Sequence, residues 1–302
     1  MLVAASALAT GAAAASGHPA EPDARGGGAA QVGTAASRAV PMPKDCGALT
    51  TIVADQSLRF GIIDGASGEQ VEAGLRLDFQ PRAATYVVSS TNRGITLRRL
   101  LVTSTDGRLH LITLQDRVDP ATKKQITTSA VTVIGSGWGD VRLLVSSYPY
   151  VYGVNDAGAL KRYQMTTTWG IASAGTVRKS GWNQIVSLSR GDLWNLGKDA
   201  KGRTRYGDDI VGVMSTGAVR AYLIPRDTYQ SLAVFTLIPK GWGDYAHVSV
   251  GSCDTGKSRP IVAVKKDGQV QAYLDVNGDD QRGTDIRWVG TLTRGWTGLL
   301  AD

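Results

Sequence analysis

Apolar and polar residues alternate on both sides of a glycine in four segments of the chain. The segments are VTSTDGRLHLI, YGVNDAGALKRY, VGVMSTGAVRAY and VAVKKDGQVQAY, with the turn glycine at Gly107, Gly158, Gly217 and Gly268. Alternation is typical of strands with one buried face, and glycine adopts the positive φ that a tight hairpin requires. The pattern therefore predicts four β-hairpins, which are spaced 51, 59 and 51 residues apart.

A Gly-Trp pair follows each hairpin, at Gly137, Gly181, Gly241 and Gly295. Both marks keep a period of about 53 residues, and no amphipathic helix pattern interrupts them. A repeat of this size built from short strands is typical of the blade of a β-propeller. Residues 46–302 would hold about five such blades, so we expect an all-β, five-bladed propeller with four short antiparallel strands in each blade.

The first blade lacks the Gly-Trp mark and is expected within residues 47–95. Its segment TTIVAD, at residues 50–55, is echoed by TGLLAD at residues 297–302. Radial closure, in which a strand from one end of the chain completes the blade begun at the other end, would remove an open sheet edge. We therefore expect the two ends of the propeller domain to lie side by side.

The first 45 residues do not share the repeat. Residues 1–17 are apolar and Ala-rich and resemble a secretory signal without its usual basic start, while a short Ala-rich helix is the alternative. Residues 18–45 are rich in Gly, Ala and Pro and have few apolar anchors, which is typical of a disordered linker. We expect a secreted protein with a disordered leader and a folded domain at residues 46–302.

Composition excludes several kinds of chemistry. The 302 residues are 42% hydrophobic and 20% charged, as in a globular protein, and no apolar run outside the N-terminus is long enough to span a membrane. Only three His and two Cys are present, and His18 lies in the leader, so a His/Cys zinc site or a Ser-His-Asp triad has few residues available. In an exported protein, we expect Cys46 and Cys253 to form a disulfide.

The net charge of +7 comes from 33 basic and 26 acidic residues that are scattered along the chain. Scattered charge in an exported protein does not favour nucleic acid as a partner. A denser basic cluster falls in one predicted long loop and contains Lys198, Lys201, Arg203 and Arg205. The cluster is either a solvated surface or a contact for an anionic cell-wall polymer or glycan.

The Gly-Trp step followed by VYGVNDAGALKRY resembles the repeat of tachylectin-like five-bladed lectins. The segment from GWNQ at residue 181 to VRAYL at residue 223 is similar to the FG-GAP (VCBS) repeats of exported bacterial proteins. Together the resemblance covers about residues 95–302. It implies a propeller that binds amino sugars in pockets between blades, and the FG-GAP repeat also implies calcium held in an aspartate-rich loop.

The loop DVNGDDQRG matches the calcium implication in part. Asp275, Asn277 and Asp279 offer oxygen ligands at alternate positions, which can converge on a hard cation. Asp280 replaces the glycine of the FG-GAP pattern and Gly283 replaces its closing acid, so an ordinary hairpin turn is the alternative. No other cofactor is expected.

The four repeat tryptophans are candidates for stacking on sugar rings, since a flat aromatic face suits a sugar and neighbouring polar groups can bind its hydroxyls. They are Trp138, Trp182, Trp242 and Trp296. Packing between blades is the alternative, because a repeat reuses structural residues whereas an active site is made once.

These observations predict a secreted, non-enzymatic, monomeric binding protein that recognises a glycan or cell-surface polysaccharide. Repeated sites between blades would each bind weakly and act together through avidity. A protein-binding scaffold or cell-surface interaction module is the first alternative. A polysaccharide-active enzyme is the second, and it would need a unique pair of carboxylates about 5 to 10 Å apart at one mouth of the propeller. The unrepeated acids Asp208, Asp209 and Asp254 lie in no recognisable motif.

Overall fold

The folded part of the chain consists of five small antiparallel sheets arranged in a ring. A computed structural model describes residues 42–54, 56–66 and 68–302. The signal-like segment predicted at residues 1–17, and the predicted linker up to residue 41, lie outside the described residues. Within the described part, helical structure is limited to one 3-10 turn, Gly278–Asp280, and no helix could span a membrane. The predicted all-β, five-bladed propeller is confirmed.

The sheets are named blades A to E in the order of the chain. Blade A contains β1 (Cys46–Ala54), β2 (Ser57–Asp64) and β3 (Gly68–Arg76), and blade B contains β4 (Pro81–Asn92), β5 (Ile95–Ser104), β6 (Arg108–Val118) and β7 (Gln125–Ser136). Blade C contains β8 (Val141–Ser147), β9 (Tyr150–Asn155), β10 (Leu160–Met165) and β11 (Ile171–Arg178).

Blades D and E follow the same order. Blade D contains β12 (Ile185–Lys198), β13 (Thr204–Met214), β14 (Val219–Pro225) and β15 (Ala233–Ile238). The rest of the chain forms β16 (Tyr245–Val250), the two-residue β17 (Ser252–Cys253), β18 (Arg259–Lys265), β19 (Val270–Asp275), β20 (Ile286–Thr291) and β21 (Leu299–Ala301). Blade E takes β16, β18, β19 and β20, whereas β17 and β21 pair with β1 of blade A.

The first strand of each of blades B to E faces the centre of the ring. Strand β4 contacts β8, β8 contacts β12, and β12 contacts β16, so these strands line a central channel. Each blade then proceeds outward through antiparallel neighbours. Because the blades repeat the same path, the innermost strands end at one common mouth of the channel.

Blade A is closed by the last strand of the chain. Strand β21 pairs with β1 at Thr51↔Ala301, on the side of β1 away from β2, so β21 is the innermost strand of this blade. The expected radial closure is therefore present, since β1 would otherwise carry an open edge. One expected boundary is wrong: residues 81–92, assigned to the first blade, form β4 of blade B, because β21 already fills the innermost place in blade A.

The two sequence marks of the repeat meet in space. The backbone N–H of each repeat tryptophan donates to the carbonyl of the hairpin glycine in the blade that it follows, as in Trp182 to Gly158 at 3.0 Å and Trp242 to Gly217 at 3.0 Å. These glycines adopt φ of 74° and 80°, which side chains rarely allow. The contact aims each tryptophan ring into the space between two blades.

Candidate functional site

The four repeat tryptophans are buried. Their exposed fractions are 6% for Trp138, 5% for Trp182, 5% for Trp242 and 3% for Trp296. Three of them pack against the tyrosine that lies five residues after the hairpin glycine of the next blade: Trp138 on Tyr163, Trp182 on Tyr222 and Trp242 on Tyr273, with ring centroids 4.4 to 4.8 Å apart.

The fourth tryptophan closes the junction between blades E and A. Blade A has no tyrosine there, and the Trp296 ring lies over Gly61, where an added Cβ would come within 2.3 Å of the ring. Because all four rings are buried, none of them presents an open face on which a sugar ring could stack. Their positions agree with the alternative drawn from the sequence, in which the rings pack between blades.

The three calcium candidates differ in their surroundings. Asp275 is buried, and its Oδ2 accepts a hydrogen bond from Arg259 Nε at 2.8 Å. The Asp279 carboxylate is 57% exposed and lies 3.4 Å from Lys257 Nζ. Asp275 Oδ1 and Asn277 Oδ1 are both buried without a hydrogen-bond partner among the described residues. The described residues contain no group of three or more His, Cys, Asp or Glu that could hold a metal.

Arg259 instead forms a buried ion-pair network between two blades. The guanidinium is 2% exposed and also donates from Nη1 to Asp209 Oδ2 of blade D at 2.9 Å. Burial raises the pKa of Asp209 to about 6, although Arg259 opposes the shift. An added Cβ at Gly191 would lie 2.3 Å from the same Asp209 oxygen, so the network also fixes glycine at position 191.

The predicted disulfide between Cys46 and Cys253 is confirmed. The two cysteines are directly opposite each other in the short pairing of β1 with β17, where Gly47 also lies opposite Ser252. The bond therefore fastens blade A to the strand that continues from the innermost strand of blade E. It does so beside the mouth of the channel.

A cup of about 300 Å³ opens at this mouth. Its walls are residues 47–49 and 62–64 of blade A, Tyr86 of blade B, residues 190–192 of blade D and residues 250–252. Asp302 also lines the cup. The cup thus draws on four blades, and two of its walls come from equivalent positions: residues 190–192 and 250–252 each lie 8 to 10 residues after a repeat tryptophan, Trp182 and Trp242.

Asp302 crosses the channel beneath the cup. Its Oδ2 accepts hydrogen bonds from Ser189 Oγ at 2.7 Å and from the Arg190 backbone N–H at 2.6 Å. Its main-chain oxygen accepts from the Tyr86 N–H at 2.6 Å and from Thr85 Oγ1 at 2.8 Å. Because these contacts tie the end of β21 to both β4 and β12, Asp302 forms the floor of the cup. Burial raises the pKa of this carboxyl to about 6.

The walls of the cup carry both donors and acceptors. Arg190 and Asp192 are exposed, and no side-chain hydrogen bond or ion pair engages the Arg190 guanidinium within the described part of the chain. Burial raises the pKa of Tyr86, so its phenol stays protonated and can donate at neutral pH. A guanidinium offers five N–H donors in a plane, and a carboxylate only accepts, so the cup can bind a ligand whose polar groups do both.

None of the cup residues was among the candidate binding residues drawn from the sequence. Arg190, Gly191 and Asp192 lie 8 to 10 residues after Trp182, as residues 250–252 do after Trp242, and Asp302 follows the closing strand. The signal that could have found them is a change of residue type at one repeated position: Arg190 and Asp192 stand where Val250 and Ser252 stand in the next blade.

Comparisons with known proteins add little to this geometry. No protein-family model and no curated protein matches the chain. Among solved structures, the chain is similar to PorZ, an essential bacterial surface component of the type-IX secretion system of Porphyromonas gingivalis, with 12% identity and a TM-score of 0.34 over 80% of this chain. It is also similar to the computationally designed Ika8 protein, with 10% identity and a TM-score of 0.33 over 87% of this chain and 92% of that one. The chain spans about 25% of the PorZ chain, and neither likeness carries an argument about function.

Proposed function

We propose that this protein is a secreted, non-enzymatic binding propeller that recognises carbohydrate in the cup at the mouth of its central channel. The cup is the observation on which the proposal rests. Its volume of about 300 Å³ is at the lower end of the range for small-molecule sites, which suits the end of a glycan chain. The disulfide at Cys46 and Cys253 supports an oxidising, extracellular environment.

The chemistry of the lining supports a sugar in particular. Each sugar hydroxyl both donates and accepts a hydrogen bond, and the cup places the Arg190 donors beside the carboxylate acceptors of Asp192 and Asp302. Charge-assisted hydrogen bonds of this kind are about twice as strong as neutral ones. A hydroxylated ligand is therefore better matched to this mixture of charges than an apolar ligand.

The proposal changes the expected number of sites. The sequence favoured several weak sites around the ring, each built on a tryptophan, but those rings are buried. A single composite cup predicts measurable binding of a soluble oligosaccharide at one site per chain, without the need for a multivalent surface.

The test begins with a glycan array probed with the full chain, its disulfide intact, followed by calorimetric titration of a soluble ligand. Arg190→Ala removes the free guanidinium and should weaken binding roughly 10- to 100-fold, as expected for the loss of a charged hydrogen bond. Arg294→Ala removes an exposed arginine outside the cup and should change nothing. A blank array, or binding that Arg190→Ala leaves unchanged, would refute the cup as a carbohydrate site and favour the protein-scaffold alternative.

A further inference from the structure

One hairpin extends well beyond the ring. Strands β12 and β13 have 14 and 11 residues, whereas β14 and β15 in the same blade have 7 and 6. The pairing of β13 with β14 begins only at Gly207↔Pro225. Residues 193–206, named the arm, therefore form a two-stranded projection that no third strand covers.

The arm rises directly from the wall of the cup. Residues 190–192 of β12 line the cup, and the same strand continues to Lys198. At about 3.3 Å per residue, Lys198 lies roughly 20 Å along the strand from Asp192. A ligand longer than the cup would leave the mouth beside this projection.

The tip of the arm is cationic. The arm contains four basic residues and a single acid, Asp199. Arg203 pairs with Asp199 at 2.7 Å, and Arg205 pairs with Asp227, which lies outside the arm, at 2.6 Å. Lys198 and Lys201 have no side-chain partner among the described residues. When Asp199 and Asp227 are counted against the four basic residues of the arm, the tip keeps a net charge of +2.

One flank of the arm exposes apolar and aromatic surface. Leu193 is 50% exposed and Tyr206 is 42% exposed. Asn195 lies directly opposite Tyr206 in the register, so the amide and the ring share one flank. Asp208 follows on the same flank and accepts hydrogen bonds from Ser147 and Tyr152 of blade C, which places this flank on the side of that blade.

We propose that the arm is a second contact surface for the ligand of the cup, and that this ligand is an anionic polysaccharide bearing carboxylate, sulfate or phosphate groups. The inference rests on the proposed carbohydrate site. The end of the glycan occupies the cup, and acidic groups further along the chain bind Lys198 and Lys201. A sugar ring of the same polymer can stack on the exposed face of Tyr206.

The experiment compares two double charge reversals of the full chain. Lys198→Glu with Lys201→Glu alters the arm, and Lys179→Glu with Lys240→Glu alters exposed loops that precede Gly-Trp pairs, at the end of the ring away from the cup. Both variants change the net charge equally. The readout is binding to immobilised heparin, a sulfated and uronate-bearing polysaccharide, with neutral dextran as the blank.

We expect wild-type protein to bind heparin in a salt-dependent way and not to bind dextran. The arm variant should bind roughly tenfold more weakly or worse, and the loop variant should match wild type. Circular dichroism confirms that each variant is folded. Equal losses in both variants would show that bulk charge alone binds heparin and would overturn the inference, as would wild-type protein that does not bind.

A third variant separates this inference from the proposed function. Arg190→Ala should reduce the binding of both heparin and the cup ligand, because the two surfaces hold one polymer. If heparin binding is lost in the arm variant but is unchanged in Arg190→Ala, the arm binds the polymer by itself and the inference of one shared ligand is overturned, while the cup is judged by the glycan array and the calorimetric titration. If a neutral oligosaccharide binds the cup while the arm variant retains heparin, the arm inference alone is refuted.

Discussion

His247 should make the protein progressively less stable in acid, and the size of the effect follows from its surroundings. The side chain is 2% exposed, and only hydroxyl groups bind its ring: Ser187 Oγ lies 2.7 Å from Nδ1 and Ser249 Oγ lies 3.0 Å from Nε2. The Ser249 hydroxyl continues to Thr50 Oγ1 at 2.7 Å. No carboxylate among the described residues compensates a charge on this ring, and burial lowers the pKa of His247 to about 3.

The sign follows from proton binding. Below its ordinary pKa of 6.5 the histidine of the unfolded chain is protonated, whereas in the folded chain it stays neutral until about pH 3. The free energy of unfolding should therefore fall by about 1.4 kcal/mol per pH unit across this window, and by about 5 kcal/mol in total.

Two buried carboxyls act in the opposite direction. Burial raises the pKa of Asp209 and of Asp302 to about 6, from 3.8. The folded chain takes up these protons before the unfolded chain does, so each contributes a gain of about 3 kcal/mol as the pH falls from 6 to below 4. The pH profile of the wild type is therefore a sum of opposing contributions, and only a difference between variants isolates the histidine.

The assay is urea denaturation of wild type and His247→Gln at several pH values between 7 and 3.5, with the disulfide intact. The difference in the free energy of unfolding should move in favour of the glutamine variant by about 1.4 kcal/mol per unit below pH 6.5. His110→Gln is the matched control; burial also lowers the pKa of His110, but Asp106 opposes the shift, so its slope should be smaller. A difference for His247→Gln that does not vary with pH would refute a buried, neutral histidine.

Three further predictions concern stability. Cys253→Ser should lower the free energy of unfolding by about 5 kcal/mol, the chain-entropy value for a loop of 207 residues closed at Cys46; a loss below 1 kcal/mol in urea denaturation would contradict it. Gly191→Ala should lower the melting temperature by several degrees, since its Cβ meets a buried carboxylate, while Gly290→Ala, with open space around it, should not; equal melting temperatures would contradict the close approach. Trp182→Ala should cost about 3 to 5 kcal/mol by leaving a cavity, and an unchanged stability would show that the ring is not packed between blades.

The fold could be predicted because each repeat is specified by local features of the sequence. A glycine at positive φ and period-two alternation mark each hairpin, and both recur with the spacing of a blade. The boundary between the first two blades could not be read in this way. Residues 81–92 look like any other strand, and their place in blade B depends on β21, about 220 residues further along the chain.

The site was harder to predict for a related reason. A tryptophan at a repeated position does not by itself show whether its ring faces solvent or a neighbouring blade. The Trp182 ring packs against Tyr222 of the next blade, and this contact is visible only in the structure. The contact of Arg259 with the Asp275 carboxylate could not be predicted either, because no spacing rule links the two residues. The cup combines residues from four blades, so it exists only once the ring is closed.

The three-residue strand β21 also has a consequence for the order in which the protein assembles. Strand β1 and its partner β21 are about 250 residues apart, so blade A keeps an unpaired inner edge until the other four blades have formed. During that interval a β21 segment from a second copy presents the same pairing groups as the protein's own. At high concentration, refolding can therefore exchange this strand between two molecules and yield an intertwined dimer, whereas dilute refolding favours the self-closed ring.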